Sequence, residues 1–248
     1  MEILSPAGSP EHITAAVRSG ADAVYLGTQR FNARQNAENF DVPALENAIK
    51  YCHARGVKVY ITLNTLIKDN ELELAEKEIK TIAKLGADAV IIQDLAMVKL
   101  VKNIIPQMPL HASTQMSVHN LSGVKMLEKL GFSRVVPARE LSLEELAHIR
   151  KNTSLELEVF VHGALCMCVS GQCYMSSVFG QRSANRGMCA QPCRLNFKVF
   201  GREHALSLKD LSAIDMLGRL KELGITSGFM FNRRIGGLGG SPGSFLQD

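Results

Sequence analysis

The sequence predicts an α/β fold, a (β/α)8 barrel of the TIM type. Three observations carry that expectation. Seven strand–helix units follow one another before the cysteine-rich stretch, and strict alternation leaves an open doubly wound sheet or a closed barrel. The strand candidates are near-continuous apolar runs, as parallel strands covered on both faces should be. Polar residues recur where the strands end, and no G-x-G-x-x-G follows the first strand to favour a dinucleotide-binding sheet.

Glu2-Ile3-Leu4 opens the series as a short strand, and Pro10 to Ser19 follows as a helix with Ile13, Ala16 and Val17 on one face. Ala23 to Gly27 is the second strand, and Val42 to Arg55 the helix that presents Leu45, Ile49 and Cys52. Val57 to Leu63 precedes the helix Glu71 to Leu85, whose acids come early and lysines late, as the helix dipole favours. Ala89 to Gln93, Leu110 to Ala112, Arg134 to Pro137 and Leu155 to Val161 complete the strands. Ala96 to Ile105, Leu121 to Leu130 and Leu143 to Lys151 are the helices between them. Gly20, Gly56, Gly86 and Gly131 follow helix ends, where glycine supplies a left-handed cap. Leu211 to Leu223 reads as one more helix. From 228 to 248 six glycines and no periodic apolar face read as an irregular tail, which places the domain at 1–227.

The 248 residues are enough for one large domain. Hydrophobic residues at 46% and charged residues at 21% exclude a disordered chain. A net charge of +4 permits an anionic partner without requiring one. No apolar run reaches the ~18 residues of a membrane span, and Met1 to Pro6 lacks a signal peptide's pattern, so a cytoplasmic location is expected. In a reducing compartment cysteines serve as ligands or catalysts more often than as disulfides.

Five of the six cysteines fall in one segment, 162–194. Their spacing is C-x-C-x4-C-x15-C-x3-C, from Cys166 through Cys168, Cys173 and Cys189 to Cys193. Structural zinc sites use paired C-x2-C knuckles, a poor match. An iron–sulfur cluster accepts wider spacing, with small residues near its ligands. A redox-active thiol pair and plain packing are the alternatives, and an odd count leaves one cysteine as a bystander. Cys52 lies on an apolar helix face and reads as core.

The phrase Glu158 to Cys166, then Ser170-Gly171-Gln172-Cys173-Tyr174-Met175-Ser176-Ser177 and Gln181 to Arg194, closely resembles the signature of the U32 peptidase family, the collagenase-like proteases. Leu4-Ser5-Pro6-Ala7-Gly8 and Gly20 to Gly27 resemble its N-terminus, and the likeness runs from residue 1 to about 227. The resemblance implies either a peptidase or a factor for oxygen-independent hydroxylation of ribosomal RNA, transfer RNA or ubiquinone. The ribosomal-RNA branch is nearest, from the run Cys166 to Cys173. It also implies a [4Fe–4S] cluster, with Cys166, Cys173 and Cys189 matching ligands, Cys193 the best local fourth and Cys168 spare. An RNA substrate follows, with a peptide as the alternative. The stretch after Gly228 departs from the family pattern, as a C-terminally truncated or frame-shifted chain would, and this departure implies a barrel incomplete at the eighth unit.

Strand ends nominate the remaining site residues. Asn64, Gln93, His111, Gln115 and Arg139 are candidates for substrate binding, because strand C-termini open onto one face of a barrel. His111, Gln115 and Ser113 alternate on one face, and Arg139 suits an anion. The catalytic residue is not determined; His162, His111 and Arg139 are the candidates. A peptidase needs a nucleophile and base or a metal-bound water. No H-E-x-x-H is present. Cys166 with His162, four residues apart, is one conceivable pair.

Overall fold

The structure is a computed structural model that describes residues 1–35, 38–208 and 210–231. Seven parallel strands run in chain order around a barrel: β1 (Glu2–Pro6), β2 (Ala23–Gly27), β3 (Lys58–Leu63), β4 (Ala89–Ile92), β5 (Leu110–Ala112), β6 (Arg134–Val135) and β7 (Glu156–Ala164). A short β8 (Asp210–Ser212) pairs antiparallel with the end of β7. The last strand, β9 (Ser227–Phe231), is parallel to both β7 and β1 and closes the ring.

The eighth strand is therefore present, against the expectation of an incomplete barrel. Residues 228–231 of the expected tail lie in β9; 232–248 fall outside the described residues. The physical reason is pairing. Glu2 and Glu158 stand opposite the same residue, Ser227, so each open edge supplies a hydrogen-bonding partner to a short strand with weak periodicity of its own.

Six helices cover the outside: α1 (Pro10–Arg18), α2 (Val42–His53), α3 (Leu72–Leu85), α4 (Leu95–Ile104), α5 (Leu121–Lys129) and α6 (Leu143–Lys151). Five of their starts, all but that of α3, are fixed by capping side chains. Ser9, Asp41, Asp94, Asn120 and Ser142 each accept from a backbone N–H of the first turn. A six-residue α7 (Met175–Gly180) lies in the cysteine segment, and α8 (Leu217–Glu222) precedes β9. The helix expected over 211–223 is shorter, because Leu211 and Ser212 extend the sheet as β8. Among the described residues no helix is long and apolar enough to cross a membrane.

Strand alternation divides the core in two. Val59, Ile61 and Leu63 of β3 face outward against Ala75, Ile79 and Ile82 of α3, within one large apolar cluster. Tyr60 faces inward with Leu4, Ala23, Tyr25, Ala89, Ile91 and Phe229, filling the barrel. At the N-terminal end the filling is polar. The Arg134 guanidinium donates to Glu2 at 2.6 Å, Glu156 at 2.7 Å and Glu158 at 2.8 Å. With both halves packed, the opening left for chemistry is at the C-terminal ends of the strands.

Candidate functional site at the C-terminal mouth of the barrel

A cavity of about 570 Å3 occupies that mouth. Its floor is aromatic. The Tyr25 ring stacks on Phe229 with centroids 4.4 Å apart, and Phe160 meets Phe229 at 4.7 Å. Burial pushes the Tyr25 hydroxyl up to about 12, so at neutral pH it is a neutral donor. The walls come from strand ends and the loops beyond them, including Asn32, Arg34, Asn64, Gln115, Arg139 and His162. The side-chain carbonyl of Asn64 accepts from the Ala33 N–H at 2.9 Å, which ties the end of β3 to the loop after β2.

The cysteine segment forms the far wall. All five of its cysteines line the cavity. Polar contacts hold the segment onto the barrel. Ser170 Oγ accepts from Arg139 Nε at 3.2 Å, and Ser170 N donates to Glu140 at 3.0 Å. Arg186 forms a two-pronged pair with Glu71 at 2.6 and 3.0 Å. Arg194 donates to the Leu165 carbonyl at 2.9 Å.

The Cys166 and Cys168 sulfurs lie 3.3 Å apart. The hydrogen bond from Cys168, helped by the nearby Arg139 guanidinium, outweighs burial and holds the Cys166 thiol well below its ordinary range. The same contact pushes the Cys168 thiol upward. Cys52 is distant from these, buried in the apolar cluster, where desolvation raises its thiol to about 11.

Of the residues expected from sequence, the cavity gathers Asn64, Gln115, Arg139, His162, Cys166, Cys173, Cys189 and Cys193. Gln93 and His111 do not line it. His111 lies deeper, edge-on to Tyr60 at 4.7 Å, and burial with the Arg134 charge keeps its imidazole neutral. Gln93 is buried, its Oε1 without a hydrogen-bond partner. His162 is not coupled to Cys166: its buried Nδ1 has no partner, and Cys166 meets Cys168 instead. Sequence reasoning missed Tyr25, Asn32, Arg34, Phe160 and Phe229. Asn32 and Arg34 follow Phe31, whose φ of 58° turns the chain back over the mouth, a conformation that a phenylalanine does not announce.

The donor set suits an iron–sulfur cluster in its chemistry. It is all thiol, it faces one cavity, and contact with Cys168 lowers the Cys166 thiol. Among the described residues, no group of three or more ligating side chains is drawn together as a finished metal site.

Comparison with known proteins agrees with the geometry. The chain is 40% identical over 235 residues to the 23S rRNA 5-hydroxycytidine C2501 synthase of Escherichia coli, covering 92% of this chain and 35% of that protein. It is 38% identical over 199 residues to the tRNA hydroxylation protein P of E. coli, covering 80% and 44%. It is also 34% identical over 246 residues to a collagenase of Porphyromonas gingivalis, covering 90% and 59%. The chain thus spans between a third and three fifths of the length of these relatives. A solved U32 peptidase superposes with a TM-score of 0.66 at 16% identity, over 98% of this chain and 94% of that one, and shows the same fold. The sequence profile of peptidase family U32 matches residues 8–229, and the chain belongs to that family.

Proposed function

We propose that this barrel is a factor for the oxygen-independent hydroxylation of a pyrimidine base of RNA, with an iron–sulfur cluster held by Cys166, Cys173, Cys189 and Cys193. One observation carries the reading: a single cavity joins an aromatic floor, buried polar atoms without partners among the described residues, and five thiols. A nucleobase flipped from its strand packs against the aromatic cluster of Tyr25, Phe229 and Phe160. Gln115 Oε1 and His162 Nδ1, both buried without partners, supply hydrogen bonds to its edge. Arg139 and Arg34 provide positive charge where the ribose phosphates enter. When bound, the cluster would supply one-electron redox chemistry beside the base. The relatives named as hydroxylating ribosomal and transfer RNA support this choice over the protease names in the same family. The peptidase reading lacks the nucleophile–base pair it needs, because His162 and Cys166 do not meet.

Anaerobic purification with iron and sulfide determination tests the cluster. Mass spectrometry of nucleosides from cells with and without the protein tests the reaction. About four irons per chain and a hydroxylated pyrimidine that vanishes with the protein are expected. Iron-free protein that cleaves peptides and leaves RNA unchanged would overturn the reading.

A further inference from the structure

The cysteine segment carries more than the cavity wall. Residues 166–208 contain five arginines and lysines against one acid, Glu203, while the whole chain has 28 and 24. The rest of the chain is balanced at 23 of each, so the entire net charge of +4 sits in this one segment. Arg186 and Arg194 are consumed in ion pairs with Glu71 and Asp210, and Lys198 faces Glu203 at 2.6 Å. Arg182 and Arg202 are exposed and have no side-chain partner among the described residues.

Large apolar side chains are exposed in the same segment. Tyr174 and Phe179 on and before α7 are 69% and 65% exposed, and Phe200 is fully exposed. Phe179 meets Phe197 of the following hairpin at 6.2 Å, and Tyr174 also lines the cavity.

Phe200 is the telling residue. It sits with Gly201 at the tip of a two-residue hairpin turn, closed by paired backbone bonds between Val199 and Arg202 at 2.9 and 3.0 Å. Its φ is +48°, a left-handed conformation that favours glycine or asparagine at this position. The fold gains no burial from this ring and bears strain to hold it in water. Unfavourable backbone of this kind persists where a side chain is needed for something else.

We infer that this surface is a platform for single-stranded RNA: Phe200, Phe179 and Tyr174 stack successive bases, and Arg182 and Arg202 hold the phosphates, leading one nucleotide into the cavity. The inference rests on the RNA reading of the site and names where the strand lies. Aromatic faces interleaved with unpaired cations fit a polyanion with exposed rings. An apolar protein partner would leave the two arginines unmatched.

Fluorescence anisotropy of the full chain with a short labelled single-stranded RNA of mixed sequence tests it, read as a function of salt. Phe200→Ala should weaken binding by about 5- to 100-fold with the salt slope unchanged. The double variant Arg182→Gln, Arg202→Gln should lower the slope by about one to two. Neither change touches the core, so both variants should melt as wild type does. If wild type binds RNA and both variants match it, the platform is wrong while the reading of the site stands. If Phe200→Ala dissolves a self-associated form with RNA affinity unchanged, the patch is a protein interface and the inference falls. If wild type does not bind RNA at all, both fall.

Discussion

At the closed end of the barrel one guanidinium serves three carboxylates. Arg134 is 3% exposed and Glu158 1%. Burial also works against Glu2, but the Arg134 guanidinium and the Tyr60 hydroxyl outweigh it and hold that carboxyl below its ordinary range. For Glu158 burial wins and raises the carboxyl to about 7. Between the ordinary value of 4.5 and about 7 the folded chain therefore keeps a proton that the unfolded chain has released. Stability should fall as pH rises through that window and level off above it, by roughly 2–4 kcal/mol in all. Glu158→Gln should flatten the slope, as read by urea unfolding at several pH values; parallel curves for variant and wild type would refute the assignment. The thiols follow a similar logic of neighbours. Cys166 and Cys168 are in contact, so in the proposed cluster their sulfurs would compete for one corner instead of holding two. Cys166→Ala, Cys173→Ala and Cys189→Ala should each remove most of the cluster absorbance, whereas Cys168→Ala should remove much less. Equal losses at Cys168 and Cys173 would sink the choice of Cys168 as the spare thiol.

The element that matters most is the segment between β7 and β8, because it is grafted onto the barrel at close backbone approaches. Gly187 has φ +83°, and a Cβ there would lie 2.3 Å from the Asn32 carbonyl oxygen. Gly171 has φ +74° and faces the Gln115 carbonyl at the same distance. Only glycine fits either place. Gly187→Ala should push the cysteine wall off the loop after β2, lowering iron content by more than half. The barrel's melting temperature should move by less than about 5 °C, since no strand is touched. A large drop in melting temperature would mean that the segment stabilises the barrel itself. The sequence displayed some of this and hid the rest. Helix ends were legible, because Gly20, Gly56, Gly86 and Gly131 all adopt the left-handed φ expected of caps. So was the cysteine wall, through its spacing. β8 was hidden because Leu211 suits a helix face as well as a strand, and only the overhang of β7 decides between them. β9 was hidden because its strand character comes from two borrowed edges. Tyr25 and Phe160 read as ordinary strand residues, and only closure of the ring brings them onto Phe229 to make a floor.

On the scale of the whole molecule, scaffold and site are separable. The main apolar cluster runs between the strands and α1 to α6 and includes Cys52, but none of Cys166, Cys168, Cys173, Cys189 or Cys193. Burying a large aliphatic side chain is worth about 1.5–3 kcal/mol, and that cluster holds many, among them Leu45, Ile61, Leu63, Ile79, Ile82 and Ile92. The cysteine segment is held mainly by side-chain hydrogen bonds and exposed or half-buried ion pairs, which are individually worth far less. Barrel closure likewise does not draw on the thiols, because β9 pairs with β1 from Glu2 to Leu4 and with β7 from Glu158 to Gly163, short of Cys166. Stripping iron with a chelator under anaerobic conditions should therefore leave the far-ultraviolet circular dichroism and a cooperative melt intact. Protection should be lost only locally, with proteolytic cuts and fast hydrogen exchange concentrated between 165 and 208. The contrast with β9 makes the test sharp: exchange there should stay slow with or without iron. If chelation instead abolishes the α/β signal, the thiols organise the entire fold, and a stable barrel with a grafted site is the wrong description.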